Sequence, residues 1–214
     1  IEYAMKLAAQ HQENPKDDII GALLTDKGGD KGLTEDELVW FFLMLIAAGN
    51  ESTRTITSHG MRMLMQHPDQ LQYLVDNPDK IPGACEEMLR YNTAFILMRR
   101  TALEDIEVAG HEIKAGDKVI MHYHTVNHDE TVFGDDAMEF DVRRAERMPD
   151  LYKEHRAFGV GQHFCLGSHL ARLELLIIMQ EIIPRLRNPR LAGAITYTRS
   201  ALVNGIKRMD ITFD

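Results

Sequence analysis

Between Thr34 and Pro68 the chain carries the pattern of one very long helix, and that stretch limits the architectures open to it. Thr34-Glu35-Asp36-Glu37 reads as a capping box, with acids in the first turn where they complement the helix dipole. The apolar run VWFFLMLIAAG follows, and helix continues to about Gln66, where His67-Pro68 stops it. Such a helix is roughly 45–50 Å long and crosses a whole domain. With 214 residues, 44% of them hydrophobic, the chain has material for one sizeable core with a small β annex.

The remaining pattern fills in around that helix. Residues 1–25 read as helical, with a second helix over DDIIGALL, before the turn-rich DKGGDKG. Shorter helices read at residues 69–76 and 82–91. Strands and turns follow: IEVAG, HEI, the turn KAGD and KVIMHYHTV carry β-branched residues in period-two stretches. Residues 127–165 read as irregular, residues 166–186 as an apolar-faced helix, and the tail ALVNGIKRMDITF as a hairpin. The expected class is mainly α with a small β element, one domain over residues 1–214. The chain starts in helical pattern without an initiating Met, as expected of a fragment whose beginning is missing.

Charge excludes one class of partner. The net charge of −9 argues against nonspecific nucleic-acid binding. The distribution is uneven: residues 143–190 hold nine Lys/Arg against five Asp/Glu, whereas residues 1–142 hold twelve against twenty-six. No window approaches the roughly eighteen uninterrupted apolar residues of a membrane span. Cys85 and Cys165 stand far apart with no secretory framework, which points to a reduced, cytoplasmic setting.

Cys165 lies in FGVGQHFCLGSH, among three glycines and two histidines, where loop turns into helix. Three chemistries compete for it. His163, Cys165 and His169 as zinc ligands lack the second ligand pair that a closed structural site needs. Cys165 as nucleophile with His163 as base is strained by the two-residue spacing, which rarely aims both side chains at one substrate. Cys165 as axial thiolate of a haem iron suits the glycines, which let backbone approach a flat macrocycle. It also suits a helix beginning at Leu166, whose N-terminal N–H groups favour a thiolate.

Phe158-Gly159-x-Gly161-x-His163-x-Cys165-Leu166-Gly167 resembles the haem-binding loop of the cytochrome P-450 monooxygenases, F-x-x-G-x-(R/H)-x-C-x-G, at every fixed position. Three further motifs stand in the family's order. Ala48-Gly49-Asn50-Glu51-Ser52-Thr53 resembles the oxygen-activation motif A-G-x-(D/E)-T, with Ser52 in place of the usual Thr. Glu87-Met88-Leu89-Arg90 matches E-x-x-R, and Arg144 in FDVRRAERM is the third member of that link. Arg100, ten residues ahead of Gly110, resembles the strand arginine that binds a haem propionate.

The resemblance implies the haem-thiolate monooxygenase fold, C-terminal portion, with haem b held by Cys165, Phe158, Gly159, Gly167, Arg100 and His163. It implies that Gly49 makes room for dioxygen and that Glu51 and Ser52 relay protons. Leu45 and Ala48, then Phe95, Ile96 and Leu97, then Leu202 correspond to substrate-facing segments and imply a hydrophobic small molecule. LVNGIK and RTALEDIEVAG resemble soluble bacterial members acting on steroids or terpenes. Electrons are expected from a ferredoxin and ferredoxin reductase, docked on a basic face where Arg172 and Arg156 are candidates. Two other readings stay open: a peroxygenase of the same fold, and a haem-free, inactive fragment.

Overall fold

The computed structural model describes residues 1–25 and 32–214, so DKGGDKG lies outside the described residues except for Gly32. The chain divides into two compact units, Ile1–Glu51 and Ser52–Asp214.

The first unit holds α1 (Glu2–Glu13), α2 (Ile19–Leu24) and residues 35–51 of α3 (Glu35–Gln66). Asp18 organises its start. One carboxylate oxygen accepts the Gly21 N–H at 2.9 Å and caps α2, while the other meets buried His11 Nε2 at 2.8 Å. The Gly21 N–H and the His11 ring hold the Asp18 carboxyl below its usual range. Thr34 and Glu37 form the capping box of α3: the Thr34 N–H donates to Glu37 Oε2 at 2.9 Å and the Glu37 N–H to Thr34 Oγ1 at 3.3 Å.

The second unit takes up α3 from Ser52 and adds α4 (Pro68–Asp76) and α5 (Ile81–Tyr91). Strands β1 (Leu97–Thr101), β2 (Ile106–Val108), β3 (His111–Ile113) and β4 (Lys118–His122) come next. β2 and β3 form a tight hairpin through Ala109 and Gly110, whose φ values of 50° and 80° suit a two-residue turn. β1 and β4 pair antiparallel, with Arg100 opposite Val119. Four single-turn helices follow: α6 (Tyr123–Val126), α7 (Glu130–Phe133), α8 (Arg144–Arg147) and α9 (Leu151–Glu154). α10 (Ser168–Ile182) and four short strands, β5 (Arg190–Leu191), β6 (Thr196–Tyr197), β7 (Ile206–Arg208) and β8 (Ile211–Thr212), complete the chain.

Three sequence expectations change here. KVIMHYHTV is strand only as far as His122. The His122 ring then accepts the Thr125 N–H at 3.2 Å and caps a helical turn. The tail is not a simple hairpin, because β7 pairs with β6 and β8 with β5. The final helix begins at Ser168 with Gly167 as its N-cap, not at Leu166, and ends at Ile182.

The core of this unit packs α3, α4, α5 and α10 around Ile56, Leu64, Leu74, Met88, Leu175 and Met179. Gly60 explains how closely these helices approach. A Cβ there would lie 2.6 Å from Met88 Sδ and 3.1 Å from Met179 Cε. No helix among the described residues is long and apolar enough to cross a membrane.

Candidate functional site

α5 carries two adjacent carboxylates, Glu86 and Glu87, and successive helical residues point about 100° apart. Glu87 is fully buried and binds Arg90 twice, Oε2 to Nε at 2.6 Å and Oε1 to an Nη at 2.7 Å. Arg90 spends its other N–H groups on the carbonyls of Asn127, Ala137 and Glu139, at 2.6–2.9 Å. Arg144, also fully buried, donates to Glu87, to the carbonyls of Phe133, Asp136 and Glu139, and to the Asp136 carboxylate. Burial pushes the Asp136 carboxyl up, but Arg144 and Arg147 prevail and hold it below its usual range. All five donors of each guanidinium are thus satisfied, which is the condition for burying such charge. The acceptors are main-chain carbonyls of a stretch with little regular structure, so this cluster fixes the path of residues 127–144.

That path leads into the Cys165 loop. Asn127 links the two: its carbonyl accepts from Arg90 and its side-chain oxygen accepts the Arg156 N–H at 2.6 Å. Gly159 and Gly161 take φ of 73° and 71°, and a Cβ at Gly159 would sit 3.3 Å from the Tyr123 hydroxyl. The Cys165 N–H donates to the Phe158 carbonyl at 2.9 Å, and the Cys165 carbonyl accepts the Ser168 N–H at 3.2 Å. The thiol is exposed just before α10, between Phe164 at 48% and Leu166 at 63% exposure. An exposed apolar stripe of Leu170, Leu173 and Ile177 continues along α10. Cys85 is the opposite case, a buried thiol pushed up to about 12 by desolvation, and therefore inert.

This donor set fits haem. A single soft sulfur stands among exposed apolar side chains, and Cβ atoms at Gly161 and Gly167 would meet nothing within 4 Å. Among the described residues no three His, Cys, Asp or Glu side chains converge to hold a metal, which disfavours a His163–Cys165–His169 zinc site. No hydrogen bond among the described residues joins His163 to Cys165, as a base and its nucleophile would need. His163 and Arg100 are both exposed, and Arg100 bonds the Arg99 carbonyl at 3.1 Å.

On α3, Glu51 and Ser52 are consecutive and half-buried, and a Cβ at Gly49 would meet nothing within 4 Å. The next hydroxyl, Thr53, donates to Glu174 of α10 at 3.2 Å. Leu45 is half-buried and Ala48 exposed in the first unit. In the second unit Phe95 and Ile96 are joined to the tail around Leu202, while Leu97 pairs with His122. Phe95 bridges Val203, and the Ile96 N–H donates to the Leu202 carbonyl at 2.9 Å.

Arg172 and Arg156 do not present free guanidiniums. Arg172 Nε binds Glu86 Oε1 at 2.8 Å, and Arg156 donates to the carbonyls of Lys153 and Glu154. Glu86 and its second partner His155, at 2.8 Å, are functional candidates that sequence reasoning missed. His155 lies 69 residues from Glu86 and Arg172 lies 86, so the cluster leaves no local signal in the sequence.

A family model for cytochrome P-450 matches residues 2–189. A steroid C26-monooxygenase of Mycolicibacterium smegmatis is 37% identical over the whole chain, which covers 48% of that protein. One from Rhodococcus jostii is 36% identical over 99% of the chain and 43% of its own length. The solved structure of CYP109E1 from Bacillus megaterium in complex with testosterone superposes with a TM-score of 0.87 at 31% identity, over 100% of this chain and 58% of that one. The chain thus spans about half the length of the curated relatives it matches. The thiol loop, the buried Glu87–Arg90–Arg144 cluster and a match over most of the chain's length converge on one conclusion: this chain belongs to the cytochrome P-450 family.

Proposed function

We propose that the protein is a haem-dependent monooxygenase acting on a hydrophobic, steroid-like small molecule. The overall change is insertion of one atom of dioxygen into a C–H bond. The other atom becomes water, with two electrons and two protons consumed. When bound, haem b supplies the redox chemistry of dioxygen and the oxygen insertion.

The chain's own groups do the rest. Cys165 Sγ would hold the haem iron as a thiolate, and the Cys165 N–H donates to the Phe158 carbonyl at 2.9 Å, which fixes the backbone that carries the sulfur. Phe158, Gly159 and Gly167 shape the loop; Arg100 is suited to a haem propionate by its guanidinium charge and His163 by a ring N–H donor. Glu51 and the Ser52 hydroxyl, consecutive on α3, would relay protons to the oxygen chemistry that haem supplies. That acid–alcohol pair favours dioxygen over hydrogen peroxide as the oxidant. In the second unit Phe95, Ile96, Leu97 and Leu202 offer apolar contacts of the kind a steroid needs; in the first, Leu45 and Ala48 offer the same kind of side chain. The names of the two relatives and the testosterone-bound structure support that substrate class. Electrons come from an external ferredoxin and its reductase, in the cytoplasm.

The observation that carries this reading is the exposed Cys165 thiol, set by two left-handed glycines between apolar neighbours. The test is the absorption spectrum of the haem-loaded protein, reduced under carbon monoxide. A strongly red-shifted Soret band supports thiolate ligation by Cys165. A band at the shorter wavelength of neutral-thiol or imidazole ligation overturns it.

A further inference from the structure

We propose that Glu86 is a positioning residue for the Cys165 loop, clamping the segment that enters the loop to the helix that leaves it.

The geometry has three parts. Glu86 Oε2 meets His155 Nε2 at 2.8 Å, and Glu86 Oε1 meets Arg172 Nε at 2.8 Å. His155 stands three residues before Phe158, and Arg172 seven residues after Cys165, so one carboxylate spans the loop from α5. Both partners then pack on the same ring. The Arg172 guanidinium lies 4.6 Å from the centroid of Phe158, and the His155 ring lies 6.2 Å from it. Phe158 is the residue whose carbonyl accepts the Cys165 N–H at 2.9 Å.

The remaining contacts orient the two partners. His155 Nδ1 accepts the Ala157 N–H at 3.3 Å, and Arg172 donates to the Tyr152 carbonyl at 3.1 Å. The Glu86 side chain is 17% exposed. Its burial pushes the carboxyl up, but hydrogen bonds from His155 and Arg172 prevail and hold it below its usual range. Charge-assisted bonds of this kind are about twice as strong as neutral ones. A loop that carries two glycines at positive φ has little intrinsic stiffness and needs an external tether. α5 thus serves two neighbours with adjacent residues: Glu87 holds residues 127–144, and Glu86 holds the thiol loop. The clamp is a statement about the fold; its effect on iron rests on the function proposed above.

The test compares three variants of the chain: Glu86→Gln, Arg172→Lys and, as a control for general destabilisation, Leu74→Ala in α4. The first readout, without haem, is the NMR backbone order parameter at Phe158 and Cys165. Glu86→Gln should lower it from about 0.85 to below about 0.6 while the centre of α5 stays rigid. Arg172→Lys should do the same, because it keeps the charge and loses the planar group over Phe158. Leu74→Ala should leave the loop unchanged while lowering the melting temperature. The second readout, with haem, is loss of the red-shifted carbon monoxide band, expected about tenfold faster in the two clamp variants than in the control.

If the loop in both clamp variants is as ordered as in the control, the proposal is overturned. If the loop loosens but the unmutated protein never shows a red-shifted band, the clamp stands and the monooxygenase reading fails.

Discussion

Arg144 reaches back 57 residues to Glu87, Nε to Oε1 at 3.2 Å, in a place where neither side chain is more than 1% exposed. The same carboxylate holds Arg90, so one negative charge serves two buried positive ones. Removing it leaves buried Arg90 without a counter-charge and Arg144 with only the half-exposed Asp136 carboxylate, at 3.0 Å. Glu87→Ala should therefore cost about 3–5 kcal/mol, a large share of a domain's stability. Glu181→Ala, which breaks the exposed pair with Arg185, should cost no more than about 0.5 kcal/mol. Urea denaturation of the two variants checks the contrast. Equal losses would remove the structural role of the cluster.

Cys165→Ser tests the proposed ligand separately from the fold. The thiol is exposed, so stability without haem should change by about 0.5 kcal/mol or less. The red-shifted carbon monoxide band should vanish. Retention of that band would place the axial ligand elsewhere.

Ser52→Ala removes the hydroxyl of the proposed relay on α3. Electron consumption should continue, while more of it ends as hydrogen peroxide and less as oxygenated product. Measuring peroxide released per reducing equivalent decides the matter. Unchanged coupling would mean that protons travel by another route.

His59 predicts a pH dependence. It is 2% exposed on α3, and desolvation pushes its imidazole down to about 4, against the hydrogen bond to the Asn204 carbonyl at 2.7 Å. The ring is therefore neutral in the fold and takes up a proton more readily when unfolded. Between pH 6.5 and about 4 the unfolded chain binds more protons, so stability falls as pH falls through that window. The loss from this group reaches about 3 kcal/mol at the acid end. His128, 8% exposed and also pushed down to about 4, mainly by desolvation, acts in the same direction. Urea midpoints at pH 7 and pH 4.5 should differ less in His59→Gln. An identical pH slope in the variant would show that His59 is not the group responsible.

Two glycines of α3 should respond oppositely to substitution. Gly49→Ala adds a methyl into open space and should stabilise the helix by up to about 1 kcal/mol. Gly60→Val drives atoms into Met88 and Met179 and should cost about 1–3 kcal/mol. Thermal melts of both variants check the signs.

The parts of this fold that were legible are those written in local pattern. Thr34 and Glu37 announced the start of α3 because a capping box is a four-residue signal, and the structure has both of its hydrogen bonds. IEVAG and HEI read as strand segments for a similarly local reason, and Ala109-Gly110 proves to be the turn that joins them. The tail misled because alternation marks strands without saying which partners they choose: β7 turned to β6 and β8 to β5. Tyr123–Val126 read as strand from its β-branched residues, and a single side-chain cap from His122 redirected it into helix. Arg172 read as a docking candidate on a basic face because its partner Glu86 lies 86 residues away and its aromatic neighbour is Phe158. Long-range pairing of this kind leaves no trace in spacing.

The Arg90 contacts also make the folding of this segment a non-local matter. Its carbonyl partners lie 37, 47 and 49 residues further along the chain, so none can be captured until a long loop has closed on α5. Closing such loops costs entropy before any contact repays it. Asn127, one of those partners, also holds the Arg156 amide. The path of the segment that leads into the thiol loop is therefore written in contacts distant along the chain, and none of those to Arg90 can exist unless α5 is in place.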